Sequence, residues 1–79
     1  MKIYLINNVL WNYGNEGMVA IVAENLEHCR EIFDDEFATC SNCKRLEQFD
    51  NAIKLGDYKE IEVKPDTQYG VVTYIEGGD

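Results

Sequence analysis

Between residues 18 and 38 the hydrophobic pattern changes period, and this switch limits the possible folds more than any other feature of the chain. MVAIVA (18–23) is an unbroken apolar run of strand length with two valines and an isoleucine. ENLEHCREIFDDEFA (24–38) follows at once. In it Leu26, Cys29, Ile32, Phe33 and Phe37 recur at three- and four-residue spacings, which places them on one face of a helix. Asn25 is positioned to cap that helix, and Glu24 and Glu27 suit the positive end of its dipole. A strand that leads directly into an amphipathic helix calls for a sheet with the helix laid across it.

The remaining segments fit that plan. In KIYLI, Ile3, Tyr4, Leu5 and Ile6 are apolar on both faces, as in a central strand. NNVLWNYGNEG is rich in Asn and Gly and reads as a loop or long hairpin connection, so the first two strands form an antiparallel pair. TCSNCKRLEQFD (39–50) is ambiguous: Leu46, Phe49 and Ile53 fit a helical period, while Phe49, Ile53 and Leu55 would share one side of a strand. The expectation is a loop or short helical turn, then a strand over residues 51–55. Gly56 and Asp57 read as a turn. KEIEVK (59–64) alternates with Ile61 and Val63 inward and Glu60 and Glu62 outward, as in an edge strand. PDTQYG is a turn and VVTYIE (71–76) a final strand. The expected architecture is a single α+β domain over residues 1–79, a small, mostly antiparallel sheet of four to five strands with one main helix packed on one face.

Fifteen acidic residues against seven basic ones give a formal charge of −8. Such a chain is repelled by nucleic acid and anionic membrane and attracted to basic surfaces. KIYLI is too short for the apolar core of a signal peptide, and no apolar run approaches the roughly 20 residues of a membrane span. Three cysteines, an odd number, fit a reducing cytoplasm. A cytoplasmic protein is expected.

The stretch CSNC (40–43) raises the question of metal or redox chemistry. Cys40 and Cys43 would make one good half of a zinc site. The other half would have to come from His28 and Cys29, adjacent residues that point about 100° apart on a helix. Cys29 also falls on the apolar stripe, where a thiol is ordinarily a small core residue. A redox dithiol sits at a helix N-terminus after a strand, whereas Cys40 follows a helix and the acidic DDEF. The expected arrangement is two loop thiols and one core thiol. A zinc-binding or thiol-regulated module centred on Cys40 and Cys43 is the alternative.

Enzyme chemistry finds little support. His28 is the sole histidine, NYGNEG lacks the Lys-Ser/Thr that completes a phosphate loop, and paired carboxylates occur everywhere in an acidic chain. No cofactor is expected. The candidate partner-binding residues are instead Trp11 and Tyr13, aromatics of the connection, and the acids Glu24, Glu27, Glu31 and Asp34, which form a stripe along the helix.

KIYLI, a Trp/Tyr-containing loop, VAIVAENLEHCREI, AIKLG and GVVTYIEGG together resemble a group of small phage-encoded proteins. In that group a K-x-Y-L-I strand, a V-V-x-A-E strand running into an acidic helix and a G-V-V strand follow in the same order. Cys29 stands where that pattern often has Ala, and IEGG departs from the usual close. The resemblance carries no catalytic residues. It implies a host-takeover role, similar in size and charge to anti-CRISPR and other counter-defence inhibitors. The expected function is therefore that of a non-enzymatic acidic interaction protein. It would occupy a basic surface of a host protein that normally binds nucleic acid, without touching nucleic acid or membrane itself. A homodimer through the apolar strands is a further option.

Overall fold

The computed structural model describes residues 1–12, 15–37 and 44–75. Strands β1 (Lys2–Asn12) and β2 (Asn15–Ala23) are followed by helices α1 (Leu26–Phe37) and α2 (Lys44–Leu55), then strands β3 (Tyr58–Glu62) and β4 (Gly70–Ile75). The strands form one antiparallel sheet in the order β3-β1-β2-β4. The α+β class and the small antiparallel sheet are thus as expected, but two helices rather than one cover the sheet. None of the described helices is long and apolar enough to cross a membrane.

The core lies between the helices and one face of the sheet. Tyr4 and Ile6 of β1 and Val19, Ile21 and Ala23 of β2 pack with Cys29, Phe33 and Phe37 of α1 and with Phe49 and Ala52 of α2. The Phe33 ring bridges the layer, 5.0 Å from Phe37 and 4.9 Å from Phe49 between centroids. Side chains alternate along a strand, so Ile3, Leu5, Ala20 and Val22 face the opposite side of the sheet. Apolar residues on both faces mark β1 and β2 as the two central strands, as KIYLI predicts.

Near its end β1 breaks the alternation. Register shifts between Asn7 and Val9 and again between Val9 and Asn12 mark bulges, with Asn8 at φ 59° and Leu10 at φ 57°. As a result consecutive residues, Val9 and Leu10, are both buried. Asn tolerates the left-handed region well, whereas Leu10 holds it at a cost of about 1–2 kcal/mol, offset by burying its side chain. The Asn-rich segment is therefore a long bulged hairpin, and both strands extend into what the sequence presents as connection.

The strand expected over residues 51–55 is instead the end of α2. Ala52 is only 1% exposed and completes a helical stripe with Leu46, Phe49 and Ile53. Gly56 and Asp57 close this helix. With Gly56 at φ 71°, its N–H donates to the Ile53 carbonyl (3.1 Å) and the Asp57 N–H to the Ala52 carbonyl (2.8 Å). These are the two bonds of a Schellman cap. The Asp57 carbonyl then accepts from the Asn7 N–H (3.0 Å), which seats the chain beside β1 as β3 begins.

The expected orientation of β3 is also corrected. Ile61 pairs with Ile3 on the face away from the helices and is 49% exposed, while Glu60 pairs with Tyr4. Tyr58, opposite Ile6, is the β3 residue that packs against the core. An edge strand with one large inward aromatic can leave the rest of that face to charge, and Glu60 there holds Lys2 at 2.7 Å.

Candidate functional site

Helix α1 starts where the sequence places it. The Asn25 carboxamide Oδ1 accepts the His28 N–H at 2.8 Å, which satisfies one of the free donors of the first turn. The His28 ring reciprocates: its Nδ1 accepts the N–H of Glu24 at 3.1 Å. This resembles a capping box with an imidazole at the third helical position, except that its bond goes to the N–H of the residue before the cap rather than to that of Asn25.

Tyr69, the residue before β4, completes the cluster. Its ring meets His28 edge-on with centroids 4.7 Å apart, and its hydroxyl donates to Glu24 Oε1. That hydrogen bond, with some desolvation, raises the Tyr69 pKa above the ordinary phenol value. Glu24, Asn25, Glu27, His28, Glu31 and Tyr69 line a shallow depression of about 280 Å³. His28 is half-buried, its ring held between the backbone of Glu24 and the ring of Tyr69.

The predicted acidic stripe is brought together. Glu24, Glu27, Glu31 and Asp34 are all exposed. At 100° per residue Glu27, Glu31 and Asp34 project away from Cys29 and Phe33, which are buried. Glu24, just ahead of the helix, joins Glu27 and Glu31 around the depression. Asp35 and Glu36 add further exposed charge at the C-terminal end, where the last turn has no basic residue. Acids there oppose the helix dipole, and Glu27–Glu31 and Glu31–Asp35 are like-charge pairs at i,i+4. Arg30 is the single Lys or Arg of α1, and its hydrogen bonds go to α2, with a weaker charge interaction with Asp34 one turn on. Its Nε and Nη2 donate to Asp50 Oδ1 and Oδ2 of α2 at 2.8 and 3.0 Å.

The other candidates separate from this face. Cys29 is fully buried, and burial pushes its thiol up to about 12, so it takes no part in a surface metal site. Cys40 and Cys43 lie outside the described residues. Among the described residues no three His, Cys, Asp or Glu side chains converge as a metal site requires. Tyr13 also lies outside the described residues, and Trp11 is described as a backbone position near the end of β1. The role of Tyr69 is not legible in the sequence. It arises from a contact across 45 residues that no local pattern signals. No family profile, curated protein or solved structure matches this chain.

Proposed function

We propose that this chain is a non-enzymatic interaction protein that sets the acidic outer face of α1 against a basic surface of a partner protein. One observation carries the reading. Glu24, Glu27, Glu31 and Asp34 stand exposed on one side of the helix, while the one arginine of α1 is engaged by Asp50. The arrangement costs the isolated helix stability, because like charges at i,i+4 and acids at its C-terminal end are both unfavourable. A cationic partner turns the same charges into attraction and accelerates encounter. The resemblance to small phage-encoded proteins supports a counter-defence setting, in which the partner is a host protein whose basic surface otherwise holds nucleic acid.

The test compares the protein with a Glu27→Lys/Glu31→Lys/Asp34→Lys variant in affinity capture from a bacterial lysate, followed by competition with duplex DNA. A partner that is captured by the wild type, released by salt, displaced by DNA and missed by the variant supports the reading. Capture that is insensitive to both salt and charge reversal overturns it.

A further inference from the structure

The two edges of the sheet are guarded differently. At one edge β3 carries Lys59, Glu60 and Glu62, the kind of charged residues that keep a free strand from pairing with another chain. At the other edge β4 reads GVVTYI, without charge or proline. Val72, Tyr74 and Ile75 are 60%, 49% and 60% exposed. Among the described residues β4 pairs with β2 alone, so the backbone donors and acceptors on its outer side face away from the sheet. A bulge at Val72 divides this edge into two short regular stretches, residues 70–71 and 73–75.

Helix α1 lies along this edge. The Phe37 ring meets Tyr74 edge-on at 5.2 Å, and Tyr69 touches both His28 and Glu24. Arg30 marks the side of α1 that faces α2. On the helical wheel His28 and Asp35 fall on the opposite flank, with Glu31 between that flank and the outer face. Beside the start of the uncharged strand edge, Glu24, Glu27 and Glu31 stand exposed around the depression that Tyr69 also lines.

We infer that β4 accepts an extended, cationic segment of the partner as an added strand. Every second side chain of that segment would lie on the side of these exposed acids, while the alternate ones meet Val72 and Ile75. The inference rests on the acidic-face reading above and specifies how the partner is held. Charge complementarity selects this occupant over a second copy of the chain. A second β4 brings no cation to these acids, and it joins two chains of net charge −8.

The probe is an end-blocked peptide of about seven residues, alternating Lys and Val, titrated into the intact chain and followed by backbone NMR and amide exchange. Two companion peptides keep every charge but are N-methylated on one or the other alternate set of amides. Strand addition predicts slowed exchange at β4 amides, and a loss of about tenfold or more in affinity for one methylated peptide but not the other. Thr73→Lys, which guards the edge as β3 is guarded, weakens binding in the same way. Equal binding of both methylated peptides overturns strand addition while leaving the acidic face as a charge-driven surface. If no cationic peptide binds even at low salt, and the triple reversal also leaves partner capture unchanged, both readings fall. Concentration-dependent dimerisation that Thr73→Lys abolishes assigns the edge to a second copy and overturns the inference.

Discussion

Arg30 and Asp50 clasp the two helices through a pair of parallel hydrogen bonds, Nε to Oδ1 at 2.8 Å and Nη2 to Oδ2 at 3.0 Å. The guanidinium holds the Asp50 carboxyl below its ordinary value of 3.8. A carboxylate with a depressed folded pKa contributes stability above its unfolded pKa and loses that contribution as pH falls through the folded one. Asp50→Asn is therefore expected to be less stable than wild type at neutral pH, with the gap closing in acid below the ordinary carboxylate range. Urea midpoints measured for both proteins across that range check this. A gap that stays constant into acid would mean that the pair contributes nothing as an ion pair.

Gly56 occupies the left-handed position of the α2 cap at φ 71°, and nothing lies within 4 Å of where a Cβ would stand. Any cost of a side chain there is conformational rather than steric. Gly56→Ala is expected to lower stability by about 1 kcal/mol, and Gly56→Asn by less, because Asn enters this region more readily. Denaturant unfolding of the three proteins gives the order directly. Equal stabilities would remove the cap from the account of how α2 ends.

This cap also shows where the sequence was legible and where it was not. Strong periodic signals were read correctly: the stripe from Cys29 to Phe37, the Asn25 cap, the central placement of KIYLI and the grouping of the α1 acids all recur in the structure. Helix α2 reads partly as a strand in the sequence because its stripe passes through Ala52, whose small side chain adds little apolar signal yet fills a buried position. Gly56 reads as a turn, but a turn after a strand and a cap after a helix use the same residue. The inward side of β3 is not legible in the sequence, because alternation gives a strand two faces and does not say which one the helices cover. Tyr69 at the α1 depression and the unguarded β4 edge depend on long-range placement, which period alone does not encode.

Cys29 is fully buried, and its thiol is raised to about 12 by that burial alone. At about pH 8 such a thiol stays protonated, and the side chain is shielded as well. In the native protein Cys29 is expected to resist alkylation by iodoacetamide, and to react at an ordinary rate once the chain is unfolded in urea. Peptide mapping by mass spectrometry follows this cysteine separately from Cys40 and Cys43. Fast native labelling of Cys29 would place the thiol at the surface and reopen the metal reading. Cys29→Ala should cost about 1 kcal/mol, as expected for removing one small buried group from a packed site.

The α1 acids make opposite predictions for stability and for binding, and this opposition separates a functional surface from a merely solvated one. Glu31 stands at i,i+4 from both Glu27 and Asp35, and each like-charge pair of this spacing destabilises a helix by about 0.2–0.5 kcal/mol. Asp34 and Asp35 add repulsion from the negative end of the dipole. Glu31→Gln and Asp35→Asn, singly and together, are therefore expected to stabilise the free protein by a few tenths of a kcal/mol per pair relieved. Moderate salt should raise the wild-type melting temperature and narrow its difference from the variants. The same substitutions should weaken capture of a basic partner and shorten its residence. A solvated face would show the gain in stability without the loss in binding. A face whose neutralisation destabilises the free chain would mean that the carboxylates make intramolecular contacts that outweigh their repulsion, and the case for a surface held ready for a cation would then be lost.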